Sequence, residues 1–268
     1  MPYLIALATA ANVGSVATLT GNPQNMLVGS FSSISYRGFL IRQAPVAILG
    51  LGCVYAVVWL VYRRQLPAQF APVAEPDRHV VHYPLMAKTL AAVGVMLLAF
   101  LAGVPIAVVA IGGAAYSLLT RRVKPEKVYR EINWSLLVLF VGLFVLTGGL
   151  EASGLTDELA QWAGRIGLHR PIVLTVVAAL VSNVPAVLLF KPLIPTLGEP
   201  TRAWLILAMA TTLAGNLTLI GSVANLIVVE AARTARIDIS FWEYSRVGIP
   251  LTLVTLAIGW LVLVLVPV

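Results

Sequence analysis

The chain has 268 residues, 59% of them hydrophobic and only 11% charged, with a mean hydropathy of +0.93. Soluble domains carry about 25% charged residues. The composition therefore excludes a soluble domain, and with it the nucleic-acid binder that a net charge of +7 would otherwise suggest.

Charge-free stretches cover 1–36, 44–62, 89–120, 132–150, 171–190, 203–229 and 247–268. Because about 20 apolar residues cross the hydrocarbon core as a helix, these hold roughly seven or eight membrane elements of an all-α polytopic membrane protein. No Lys or Arg precedes the first apolar run, so it is not read as a signal peptide. Residues 1–30 read as a broken helix and 44–62 as a spanning one. Cys53, beside Gly52 and Val54, is a small packing residue, and a lone cysteine builds no disulfide framework. Residues 63–88, with Pro67, Pro72, Pro76 and Pro84, form an irregular cytoplasmic linker. His79 and His82 lie there with Asp77 nearby, but no further His or Cys completes a metal site.

Residues 89–120 are too many for one upright helix, and Gly103-Val104-Pro105 makes them an out-and-back pair. Residues 133–150 cross next. From Thr156 to Ile166, apolar Leu159, Trp162 and Ala163 alternate with polar Asp157, Glu158 and Gln161, the pattern of a helix lying in the interface. Residues 171–197 are interrupted at Ser182-Asn183-Val184-Pro185 and again at Pro192 and Pro195, which suits a re-entrant hairpin. Residues 203–235 read as a second broken helix, rich in Thr, Gly and Asn over its latter half.

Basic residues sort the loops. Arg63, Arg64, Arg78 and Lys88, then Arg121, Arg122, Lys124, Lys127 and Arg130, then Arg233, Arg236 and Arg246 make twelve of the 18, and these loops are assigned to the cytoplasm. The other six fall on the opposite side.

A shift of 200 residues superimposes Thr18, Leu19, Gly21 and Asn25 on Thr218, Leu219, Gly221 and Asn225. At a shift of 205, Ile34, Ser35, Tyr36 and Pro45 meet Ile239, Ser240, Phe241 and Pro250. Two ordered matches indicate an internal duplication. The topology sends its copies through the membrane in opposite senses, the inverted repeat of transporters that bind solute and ions where helices break. Residues 1–62 are then the C-terminal part of the first repeat, and 89–268 a complete second one.

Breaking a helix in hydrocarbon is tolerated only against protein or a water-filled cavity. Gly21 and Gly221 are expected to permit the unwinding, and Pro23 breaks the first copy outright. Freed carbonyls suit a cation, and the exposed start of the following half-helix suits an anion. Asn22, Asn25, Ser222 and Asn225 add side-chain oxygens and amides, and Thr18 and Thr218 add hydroxyls. Helix kinks glued by amides are the competing reading. Asn12, Ser15, Thr212 and Asn216 read equally as supporting contacts or as packing polar residues.

The segments GSVATLTGNPQNMLVGS from Gly14, SNVPAVLL from Ser182 and LAGNLTLIGSVANLIVVE from Leu213 resemble the paired signatures of the ion transporter superfamily. That group holds citrate and dicarboxylate carriers, the arsenite pump membrane subunit and some sodium/proton antiporters. The resemblance implies two inverted halves, each with a re-entrant hairpin and a broken helix, and an elevator-type motion. It makes Ser182 and Asn183 the hairpin tip, where Val184 departs from the Ser-Asn-Thr of carboxylate carriers, and Asn22 to Asn25 and Ser222 to Asn225 the unwound loops. The function implied is secondary transport of a small anion, carboxylate or oxyanion, across the cell inner membrane. Na+ or H+ is the coupling ion, there is no cofactor, and a homodimer is the expected assembly. The hairpin that should precede Gly21 is missing, so an N-terminally truncated sequence is expected, and an inactive fragment is one alternative. A sodium/proton antiporter of the same superfamily is another, opposed by the absence of Asp and Glu from the charge-free stretches. No HExxH, membrane aspartate pair or Ser/His couple supports an enzyme. Glu230 reads as an interfacial charge and the six Trp as an aromatic belt.

Overall fold

A computed structural model describes residues 1–65, 83–118, 126, 129–130, 132, 134–181 and 183–265; Ser182, Asp77, His79 and His82 lie outside them. The described residues are helical and contain no strand. The helices are α1 (Pro2–Ser15), α2 (Pro23–Phe31), α3 (Tyr36–Tyr62), α4 (Tyr83–Leu101), α5 (Ile106–Leu118), α6 (Trp134–Ala152), α7 (Leu155–Arg165), α8 (Pro171–Val181), α9 (Asn183–Phe190), α10 (Pro200–Ala214), α11 (Val223–Thr234) and α12 (Phe241–Leu265).

Three of these, α3, α4 and α12, are long and apolar enough to cross a membrane. Chain interruptions divide α1 from α2 and α10 from α11, leaving shorter pieces. The chain is thus an all-α polytopic membrane protein. It divides into two compact units, one of residues 1–65 and 141–268, the other of residues 66–140. In the second unit α4 and α5 pack against each other, and the chain turns between them at Gly103, whose φ of +88° suits glycine.

In the first unit α10 is the hub. Ala203 to Ala214 are all buried, and α10 packs on α1, α2, α3, α8, α9 and α12. A helix apolar all round is stable only when enclosed in this way. Lipid tails are as apolar as Leu, so close van der Waals contact rather than water exclusion holds such helices together, and small residues allow it. Gly50 of α3 lies against Val13 of α1 and Thr255 of α12, and Gly259 of α12 against Met209 of α10 and Val46 of α3. The contacts between α3 and α12 run in opposite order along the two helices: Val46 meets Gly259, Gly50 meets Thr255, and Tyr62 lies near Glu243 and Arg246. The two helices are therefore antiparallel. Each has a proline at its tenth position, Pro45 and Pro250.

Helix α3 begins at Tyr36, well before the charge-free stretch from Ala44. Ser35 caps it by accepting the Gly38 N–H at 3.1 Å, and Arg42 folds back along its own first turn, with Nη1 donating to the Gly38 carbonyl at 3.2 Å.

Candidate site at two helix interruptions

Helix α1 stops at Ser15 and α2 starts after Asn22. A helix end leaves carbonyls and N–H groups without intrahelical partners, so the intervening loop must supply them. Asn25 does so from inside α2: its Nδ2 donates to the carbonyls of Ser15 and Thr18, both at 3.0 Å, and the residue is fully buried. The Gly21 N–H closes a turn on the Thr18 carbonyl at 3.2 Å. Asn22 caps α2, its Oδ1 accepting the Asn25 N–H at 2.8 Å, with Pro23 at the first helical position.

The break between α10 and α11 repeats this set 200 residues on. Asn225 Nδ2 donates to the carbonyls of Gly215 and Thr218 at 2.9 and 3.1 Å. The Gly221 N–H reaches the Thr218 carbonyl at 3.0 Å, and Ser222 caps α11 by accepting the Ala224 N–H at 3.0 Å. In both copies the threonine contributes its carbonyl to the turn.

The glycines work differently from the expectation of free backbone rotation. Positive φ among glycines occurs at Gly103, Gly154 and Gly167, not at Gly21 or Gly221. Space is what they provide. A Cβ on residue 21 would stand 2.1 Å from the Ser15 carbonyl oxygen, and one on residue 221 would stand 2.8 Å from that of Gly215. Only glycine lets the loop return this closely to the end of its own helix.

The two breaks are tied to each other. Asn12 of α1 donates through Nδ2 to Asn216 Oδ1 at 2.8 Å and Asn225 Oδ1 at 3.0 Å, and its Oδ1 accepts the Ser222 hydroxyl at 2.6 Å. Thr212 of α10 accepts Asn22 Nδ2 at 3.0 Å and donates to Asn25 Oδ1 at 3.4 Å. Asn12 and Thr212 are themselves 200 residues apart. Residue 12 thus holds 222 and 225 while residue 212 holds 22 and 25, the reciprocity of a two-fold contact. Asn216 also donates to the Thr9 carbonyl at 3.2 Å, and Asn22 to Ser15 Oγ at 2.9 Å.

Asn183, at the start of α9, joins the same cluster. Asn183 has φ +50°, a left-handed conformation that Asn tolerates better than most residues. Its Nδ2 donates to the Gly221 carbonyl at 2.6 Å, and its Oδ1 accepts Gln24 Nε2 at 3.4 Å. Gln24, buried and also within 3.5 Å of Thr212 Oγ1, is a member that sequence reasoning passed over. Asn12 and Thr212 were open candidates, and the shift that aligns the motifs aligns these two as well.

The structure brings together Asn22, Asn25, Asn183, Ser222 and Asn225 with the turns at Thr18, Gly21, Thr218 and Gly221. Each contact is made by a neutral amide, hydroxyl or peptide group. Among the described residues no group of three His, Cys, Asp or Glu could hold a metal ion.

Residues 1–214 match the family model for citrate transporters. The chain belongs to the citrate transporter family. Within reach of this family, it is 28% identical to a 46 kDa membrane protein of Mycobacterium leprae over 96% of this chain and 66% of that one. It is 30% identical to a silicon efflux transporter of Oryza sativa subsp. japonica over 96% and 69%. With a putative arsB transporter of Dictyostelium discoideum it shares 31% identity over 64% and 32%. The chain spans 65–66% of the length of the mycobacterial relatives it matches. The names of the family and of these relatives are those of transporters and of a membrane protein, not of enzymes.

Proposed function

We propose that this chain acts as a secondary active carrier that moves a small anion, a carboxylate or an oxyanion, across the cytoplasmic membrane, coupled to Na+ or H+. The observation that carries the reading is the reciprocal tie between the two breaks, Asn12 to Ser222 and Asn225, and Thr212 to Asn22 and Asn25. It supports a single site assembled from both breaks, with Thr18, Gly21, Asn22, Asn25, Asn183, Thr218, Gly221, Ser222 and Asn225 around it. The antiparallel packing of α3 on α12, whose prolines align between copies, supports an inverted arrangement of the duplicated elements. In that arrangement the half-helices α2 and α11 direct their N-terminal ends toward the solute, where partial positive charge favours an anion.

A sodium/proton antiporter is the second reading. Proton exchange through the membrane ordinarily relies on a buried acid. No described carboxylate hydrogen-bonds into the cluster, which favours the anion. The rice and Dictyostelium relatives, named for silicon efflux and as arsB, extend the candidate solutes from citrate to small oxyacids. A homodimer is the assembly proposed.

The test is uptake by proteoliposomes holding the full chain, with labelled citrate, phosphate or arsenite and an imposed Na+ or pH gradient. Gradient-driven uptake of one of these anions, abolished by Asn22→Ala and by Asn225→Ala at equal incorporation, is expected. Uptake that survives in both variants overturns the site, and proton-for-sodium exchange without anion uptake overturns the solute class.

A further inference from the structure

A polar cavity lies in the first unit, apart from the residues of the helix breaks. It has a volume of about 390 Å³ and is lined by residues including Ser32, Ser33, Ser35, Arg42, Thr201 and Trp204. Its chemistry is one-sided. Arg42 is drawn back over the first turn of α3, where Nη1 meets the Gly38 carbonyl at 3.2 Å. Glycine at 38 leaves room for this fold-back, since a Cβ there would crowd Ser35 Oγ at 3.0 Å and Nη1 at 3.1 Å.

That placement is electrostatically unfavourable by itself. The first turn of a helix carries partial positive charge, and a cation there is normally destabilising. Arg37 adds another, and the turn contains no acidic residue. Among the described residues Arg42 forms no ion pair, so most of its five N–H donors remain for a ligand.

The hydroxyls are poised in the same sense. Ser35 Oγ accepts the Gly38 N–H and Ser32 Oγ accepts the Ile34 N–H at 3.4 Å, which leaves each O–H proton to donate. From the other wall come Pro200 and Thr201, the first residues of α10, a helix with no side-chain cap and no acid in its first turn. Glu199, which could have neutralised this end, pairs with Arg202. Lys191 stands 5.2 Å over the ring of Phe31, another lining residue.

A guanidinium without a carboxylate, two serine hydroxyls whose oxygens already accept a backbone N–H, and the first turns of α3 and α10, neither holding an acidic residue, converge on one cavity. We propose that this cavity binds an oxyanion, a phosphate or carboxylate group held by Arg42 with Ser32, Ser35 and Thr201. The group can be that of a free solute or of a lipid headgroup. Helix α2 runs from Asn22 to this cavity at Phe31, so the bound anion sits about 13 Å from the first break.

Trp204 in the cavity wall reports on it. The full chain is purified in an uncharged maltoside and titrated with inorganic phosphate, with the Trp204 contribution isolated by subtracting the Trp204→Phe protein. A saturable emission change is expected. In Arg42→Gln its midpoint moves up by at least about tenfold, and in Arg42→Lys by less, because a charged donor is restored without the fork. Gly38→Ala, which keeps the charge but displaces the guanidinium, also weakens binding. Mixed micelles containing phosphatidylglycerol separate the sources: loss of the phosphate response there assigns the site to lipid headgroups, and its persistence assigns it to free anions. No saturable response in maltoside, or an unchanged midpoint in both Arg42→Gln and Gly38→Ala, overturns the proposal. Because binding rather than flux is read, that outcome is independent of whether the chain transports.

Discussion

Asn12 and Thr212 stand 200 residues apart, and each fastens the helix break that lies in the other's part of the chain: Asn12 holds Ser222 and Asn225, Thr212 holds Asn22 and Asn25. The fastening is unequal. Asn12 makes three buried side-chain bonds, to Asn216, Asn225 and Ser222, whereas Asn22 keeps a second acceptor, Ser15 Oγ, if Thr212 is lost. Leaving a buried polar group without its partner costs about 1–3 kcal/mol. Asn12→Ala is therefore expected to lower stability by about 3 kcal/mol and Thr212→Val by about 1 kcal/mol, read as thermal unfolding in detergent. Equal midpoints for the two variants would show that the bonds at Asn12 do not hold the second break.

Gly21→Ala places a methyl group 2.1 Å from a backbone oxygen that cannot rotate away. Gly14, in the last turn of α1, has nothing within 4 Å of an added Cβ. Gly14→Ala should be neutral or stabilising by up to about 1 kcal/mol through helix propensity, while Gly21→Ala should reduce folded yield sharply. Folded yield by fluorescence-detected size exclusion makes the comparison. Two indistinguishable profiles would remove close approach as the reason for glycine at 21.

The packing of α3 makes a finer distinction. An alanine at 50 meets Val13 Cγ1 at 2.6 Å and one at 259 meets Met209 Sδ at 2.7 Å. Val is stiff at χ1, whereas Met has three rotatable bonds. Gly50→Ala should cost about 1–3 kcal/mol and Gly259→Ala clearly less, measured as the shift in thermal midpoint. A larger loss at 259 contradicts the argument.

Asn183 separates backbone from side chain. Asn183→Gly keeps the left-handed conformation and loses the bond to the Gly221 carbonyl, whereas Asn183→Ala loses both. The expected order of stability is wild type, then Gly, then Ala, the last step being about 1 kcal/mol. Reversal of Gly and Ala would show that backbone strain plays no part at residue 183.

Much of this was readable before any coordinates. The two breaks announce themselves because Thr, Gly and Asn recur in one order 200 residues apart, and polar residues are rare enough in apolar helices to be noticed. The braces between the breaks were harder to see, since the residues 200 apart are Asn at 12 and Thr at 212, and only tertiary contact shows that they do one job. The start of α3 was hidden for a different reason. Arg37 and Arg42 looked like the edge of the membrane, yet a long guanidinium stem can lie back along its own helix. The role of Gly21 was also misread, because sequence does not separate a glycine needed for φ from one needed for room.

Asn25 and Asn225 supply from within what a bound cation would otherwise have to provide. Each amide already bridges the two carbonyls at the mouth of its own gap. Each interruption is thus fastened by a residue of the helix that follows it, so the curvature of the gap is written into the chain's own side chains.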